Sequence, residues 1–177
     1  MGPEDEKKQE TKQETKKPER VYDVKDGVNL TSVSVVNKDG KTAIVTVKFE
    51  NTDSDKHTSD NKVQPSLKTA FEGAVKDAAK KTDLTEITIS STTNGNHGSE
   101  KSLHYEGKAL DISKVNSKPV VSIGDADPVK SIQTAFQSQT GRRENMGPSL
   151  MRCAGTADVK SQKTIDDHKN HVHLGVE

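Results

Sequence analysis

Val28, Leu30, Val33, Val35, Ala43, Val45, Val47 and Phe49 recur mostly at every second residue between positions 28 and 50, with one slip between Leu30 and Val33. Side chains two apart share a face of an extended chain, so this pattern suits a sheet with one buried face. Asn37-Lys38-Asp39-Gly40 interrupts it with a turn signal, and residues 28–50 therefore read as a β-hairpin.

The chain before that point follows a different rule. Residues 1–20 carry six acidic and six basic side chains, and Met1 is their single apolar one. Such a segment cannot bury enough surface to offset the entropy of ordering it, so residues 1–21 read as a disordered charged linker and residues 22–177 as the folded domain. No apolar stretch of the kind a secretory signal needs lies in residues 1–20. Across all 177 residues, 27 basic and 27 acidic side chains give zero formal charge, and hydrophobic residues make up 28%. Zero net charge argues against nucleic acid as a partner, since phosphate binding rests on an excess of cationic groups. No apolar run approaches the roughly 18 to 20 residues of a membrane-spanning helix. A single cysteine, Cys153, excludes an internal disulfide and a cysteine-rich zinc site, and reads as a small buried hydrophobe.

After a polar loop at 51–64, which contains His57, Pro65 opens a helix with Leu67, Ala70, Phe71, Ala74, Val75 and Ala78 on one stripe. Short strands are expected at 86–90 and 109–113, a second helix at 128–142 ending on Arg142-Arg143, and a terminal strand at 171–176. The order hairpin, helix, strand, strand, helix, strand predicts an α+β domain with a small antiparallel sheet and flanking helices.

Two stretches carry chemistry: Ser102-x-His104-x-x-Gly107-x-Ala109-x-Asp111, and Asp166-Asp167-His168-Lys169-Asn170-His171-Val172-His173. On a strand, His171 and His173 point one way and Val172 and Leu174 the other; Asp111 shares a face with Ala109, opposite Leu110 and Ile112. An aspartate on an otherwise apolar strand needs a partner, and Gly107 supplies the backbone freedom to bring His104 towards it. Two imidazoles and one carboxylate bind zinc and leave a fourth position open, the layout of a catalytic site. The plainer alternative is a pair of hydrogen-bonded, half-buried histidines with Asp111 capping a turn.

These motifs resemble the signature of the superfamily that contains lysostaphin-type endopeptidases, D-alanyl-D-alanine carboxypeptidases and the hedgehog signalling domain. The local similarity is closest to the hedgehog amino-terminal domain, over His97 to Ile112. The resemblance implies a central zinc cleft with His104, Asp111 and His173 as ligands and His171 as base or transition-state stabiliser. It also implies a further histidine near the metal, His168, and a carboxylate at Asp167 where hedgehog-like domains have a glutamate. His97, before the first motif, and Glu106, within it, are candidate substrate contacts, with solvated surface residues as the alternative. The implied activity is hydrolysis of a peptide bond in peptidoglycan or its stem peptides. An extracytoplasmic location follows, within a larger exported or injected protein.

Three departures matter. Asn170 stands where many carboxypeptidases of this group carry the acidic base, and an amide cannot take a proton. Ser90-Ser91-Thr92-Thr93 lacks the arginine that holds a terminal carboxylate, so endopeptidase action fits better than carboxypeptidase action. The acidic residues that bind calcium in hedgehog domains are missing around Thr92–Asn96. The rival expectation is a hedgehog-like zinc module that binds a protein or cell-wall partner without catalysis. A third is an adhesin or carbohydrate-binding domain with no metal.

Overall fold

The computed structural model describes residues 24–50 and 62–177. The linker expected at 1–21 and His57 lie outside the described residues. In chain order the strands are β1 (Val28–Asn29), β2 (Val33–Val36), β3 (Thr42–Phe49), β4 (Lys62–Val63), β5 (Glu86–Ser91), β6 (Ala109–Val115), β7 (Lys118–Pro119), β8 (Arg142–Met146), β9 (Met151–Cys153), β10 (Ala157–Asp158) and β11 (Val172–Val176). The helices are α1 (Pro65–Ala79), α2 (Val120–Ile123), α3 (Val129–Gln137) and α4 (Gln162–Asp167), and a 3₁₀ turn, Leu103–Glu106, precedes β6. The class is α+β. Among the described residues no helix is long and apolar enough to cross a membrane.

The sheet is larger than the alternation in the sequence suggests. Nine strands join, in the order β10-β9-β8-β11-β6-β5-β3-β2 with β7 paired to β6. It is also not wholly antiparallel, because β3 runs parallel to β5. That pairing follows from the connection: α1 lies between the two strands, and a parallel pair needs a crossover of this length. The hairpin at the start is β2–β3, with Val33 opposite Val45 and Val35 opposite Ala43. Asn37 closes its turn by accepting the Asp39 and Lys41 amides at 3.0 Å each. It joins the main sheet through β3. Val28 belongs instead to β1, which pairs with β4, so the slip between Leu30 and Val33 marks the end of one pairing and the start of another.

The second helix is shorter than expected. It ends at Gln137, and Gly141 at φ 79° turns the chain so that Arg142 and Arg143 open β8 instead of closing a helix. Two buried amides lock this corner. Gln133 Nε2 donates to Asn145 Oδ1 at 3.0 Å, and Asn145 Nδ2 donates to the Gln133 carbonyl at 2.8 Å. Their polarity hides a strand whose last two residues, Asn145 and Met146, are as buried as the core.

The apolar stripe of α1 is buried along its whole length. It belongs to the same core as Leu110 and Ile112 of β6, Val172, Leu174 and Val176 of β11, and Phe136 of α3. Each such large side chain removed from water contributes about 1.5–3 kcal/mol. Strand alternation then assigns Asp111 and His173 to the opposite face of the sheet, where no helix stripe covers them.

Candidate metal centre

Asp111 on β6 and His173 on β11 are direct partners in the antiparallel register, so two of the expected ligands are set side by side by the strand ladder itself. His104 reaches them from the 3₁₀ turn. Ser102 caps that turn by accepting the His104 amide, and Gly107 ends it at φ 70°, a left-handed conformation that reverses the chain into β6. Gly175 makes room on the other side: a Cβ there would lie 2.9 Å from Leu103 Cδ1, so its absence lets the turn pack onto β11.

The three ligand atoms converge. His104 Nε2 lies 3.2 Å from Asp111 Oδ1, His173 Nδ1 lies 3.0 Å from the same oxygen, and the two nitrogens are 3.1 Å apart. A tetrahedral ion with bonds of 2.0–2.1 Å has ligand-to-ligand edges of about 3.3 Å, close to this triangle. His97 forms a looser set with His104 and Asp111, in which the ligand atoms lie within 4.8 Å of one another. The triangle with His173 is tighter. In addition, the His97 ring is held elsewhere, its Nε2–H donating to the Asn94 carbonyl at 2.6 Å while the ring stacks on His104 at 3.6 Å.

Partners assign the tautomers. The Thr92 carbonyl can only accept, so His104 Nδ1 carries the proton in their 2.6 Å bond and Nε2 presents a lone pair. On the far side of His173, Nε2–H donates to Glu144 Oε1 at 3.1 Å, which frees Nδ1 for an ion. A carboxylate behind a ligating imidazole fixes its orientation and strengthens it as a donor. Burial by itself would raise the Asp111 carboxyl, but the imidazoles of His104 and His173 outweigh it and hold it well below the usual carboxylate range. Burial likewise works against a charged His173, yet its bonds to Asp111 and Glu144 push it up to about 9. Without an ion, one N–H at Nδ1 would have to serve both Asp111 and His104. A divalent cation satisfies all three groups at once, so the donor set fits a metal.

These residues lie in an open cleft of about 940 Å³. His104, Asp111 and His173 are 2%, 9% and 6% exposed, so the group sits deep in it. The end of α4 and the turn into β11 bring Asp167, His168, Asn170 and His171 to the rim. His168 Nδ1–H donates to the Thr164 carbonyl at 2.6 Å, and His171 Nδ1–H donates to Asn170 Oδ1 at 2.7 Å. Both rings therefore present Nε2 as a free acceptor, and their centroids are 4.7 Å apart. Burial lowers both below the usual histidine range, which keeps them neutral near pH 7. His97 lines the cleft, and burial first, then the neighbouring His104, lowers it to about 4.

Glu106 stands elsewhere: it is exposed, 3.8 Å from Lys108, and does not line the cleft. Cys153 is half-buried on β9, also away from it. Two participants escaped the sequence reading. Glu144 follows the Arg142-Arg143 pair read as a helix end, in a stretch with no assigned element, and Thr92 acts through a backbone carbonyl, which has no sequence signal. No protein-family model matches the chain, and no curated protein sequence matches it.

Proposed function

We propose that the protein is a zinc-dependent hydrolase that cleaves a peptide bond in bacterial cell-wall peptide, acting as an endopeptidase outside the cytoplasm. The observation that carries this reading is the convergence of His104 Nε2, Asp111 Oδ1 and His173 Nδ1 to 3.0–3.2 Å at the bottom of an open cleft. A buried group of donors with water access on one side is what a catalytic metal needs, whereas a structural site closes all four positions. Zinc held there would supply a Lewis acid that activates water and polarises the scissile carbonyl. The cell-wall substrate rests on the resemblance of the two motifs to the peptidase superfamily.

The remaining work falls to side chains of this chain. His171 Nε2, neutral and unbonded, accepts the proton of the attacking water and returns it to the leaving amine. Asn170 does not replace the missing acid as a base; it holds His171 in the tautomer that leaves Nε2 free. His168 offers a second neutral imidazole at the same rim. Glu144 keeps His173 aimed inward.

Purified chain incubated with murein sacculi tests the reading. Soluble muropeptides are expected; a chelator abolishes their release and His171→Ala lowers it by about 10²–10⁴. Asn170 in the usual acid position favours a second reading, a zinc module that binds without catalysis. One equivalent of bound zinc with no release from any sacculus tested would select it.

A further inference from the structure

The rim of the cleft carries a second pair of imidazoles whose arrangement repeats that of the metal ligands. His104 and His173 have ring centroids 5.0 Å apart and planes tilted by 54°. For His168 and His171 the values are 4.7 Å and 40°. An ion bound at about 2.1 Å by one nitrogen of each ring lies about 3.2 Å from each centroid, which sets the centroids about 5 Å apart. The other nitrogens match as well. His168 Nδ1–H donates to the Thr164 carbonyl at 2.6 Å, as His104 Nδ1–H does to the Thr92 carbonyl. His171 Nδ1–H donates to Asn170 Oδ1 at 2.7 Å. A ligating histidine is braced in this way, by an oxygen behind the nitrogen that does not bind the ion. Both nitrogens of His104 and of His173 are already committed, to the first ion on one side and to Thr92 or Glu144 on the other. The rim pair therefore stands as a separate set of donors.

We propose that His168 and His171 form a second divalent-metal site, weaker than the first, with Nε2 of each ring as donor. Imidazole nitrogens suit zinc, copper and nickel, whereas calcium and magnesium take oxygen donors. Asp167 lines the cleft one residue before His168 and brings a negative charge to the same rim. Water fills the remaining positions. The site is the weaker one because its two neutral rings stand on a turn, while the first group adds a buried carboxylate and is held by paired strands. Regulation follows from the position, and this part rests on the peptidase reading. A histidine nitrogen binds an ion only through the lone pair that would otherwise accept a proton. The second ion thus takes Nε2 of His171 out of proton transfer, so zinc beyond the first equivalent slows the reaction that the first equivalent supports.

Metal binding tests the site without any turnover. Full chain carrying one equivalent of zinc is dialysed against rising free zinc, and elemental analysis is expected to find a second equivalent. Histidine-ring NMR spectra recorded alongside should shift most at Nε2 of His168 and His171. Magnesium at the same concentrations should do neither. His168→Gln and His171→Gln are each expected to lose the second equivalent and retain the first. Zinc that stays at one equivalent, shifts that are largest at His104 or His173, a second equivalent that survives both variants, or its displacement by magnesium overturns the site. The wild-type spectra decide alone if a variant fails to fold. Muropeptide release tests the regulation, and should be half-suppressed at the free zinc that half-fills the second site. Release that a filled second site leaves unchanged overturns the regulation. A second equivalent with no release at any zinc concentration keeps the site and loses the peptidase; release without a second equivalent does the reverse.

Discussion

Asp111 and His173 face each other across two hydrogen-bonded strands, whereas His168 and His171 stand on the short turn between α4 and β11. In the first region the geometry is dictated by the ladder: moving either ligand requires moving a strand whose other face carries Leu110, Ile112 and Leu174 in the core. In the second it is set by two local bonds, His168 to Thr164 and His171 to Asn170. The difference teaches how one cleft can be strict and adaptable at once. Under the proposed function, the ligands that need a fixed geometry stand on strands, and the imidazole proposed to carry a proton stands on a turn.

The comparison breaks most visibly at the ladder. Asp111→Ala leaves His104 and His173 buried around a missing carboxylate. Removing one partner of a buried charged pair costs about 3–5 kcal/mol. The variant is expected to lose bound metal on dialysis, measured by elemental analysis, and to unfold at markedly lower denaturant. Retention of one equivalent of metal by this variant would show that Asp111 is not a ligand.

At the rim the expected loss is in rate alone. His171→Ala should keep its metal and its stability, while muropeptide release falls by about 10²–10⁴, the range for a positioned base. Because burial lowers the His171 pKa, its base form persists below pH 6.5; the acid limb of kcat/KM is therefore expected below that value and should vanish in the variant. A variant that loses metal along with activity would place His171 in the ladder region instead.

How much of this was legible beforehand follows the same division. The α1 stripe, the terminal strand and the face that carries Asp111 and His173 came from periodicity, because strand alternation decides both burial and facing; that the two residues belong to one group was implied by the resemblance. The strand from Arg142 to Met146 went unseen, its first two residues read as a helix end, because its buried Asn145 is satisfied by Gln133, and a polar pair at a separation of 12 residues leaves no periodic trace. Glu144 disappeared with that strand. The β-bulge at Arg143 was beyond reach for a related reason: it arises from the register between β8 and β11, which neither segment carries alone. The parallel β3–β5 pairing had a visible cause, the α1 crossover, but a hairpin signal says nothing about which neighbour its second strand will find.

Glu144 allows a finer cut, since it touches the ladder without coordinating. Glu144→Gln keeps the shape and removes the charge behind His173, and changes of this kind lower metal affinity about 10–100-fold. Competition with a chromophoric chelator measures it. The fold should be untouched, because Glu144 is half-buried and its side chain has His173 as its hydrogen-bond partner. An unchanged affinity would mean that His173 is oriented by the strand alone.

The smallest expected effect concerns His104, the one ligand that is not on a strand. Gly107 ends its turn at φ 70°, and a Cβ there would lie 2.6 and 3.1 Å from the two γ-carbons of Val24, which would have to give way, and 3.3 Å from the Gln64 amide nitrogen. A left-handed conformation costs a residue with a Cβ about 1–2 kcal/mol. Gly107→Ala should therefore lower stability by about that amount in urea melts, with the core intact. Its effect on metal affinity decides between two origins of order in the cleft. If affinity falls with stability, His104 depends on the turn and behaves like the rim. If affinity holds, the bond from His104 Nδ1 to the Thr92 carbonyl is enough to place the ring, and the residue that follows β5 has extended the strictness of the ladder to a residue outside it.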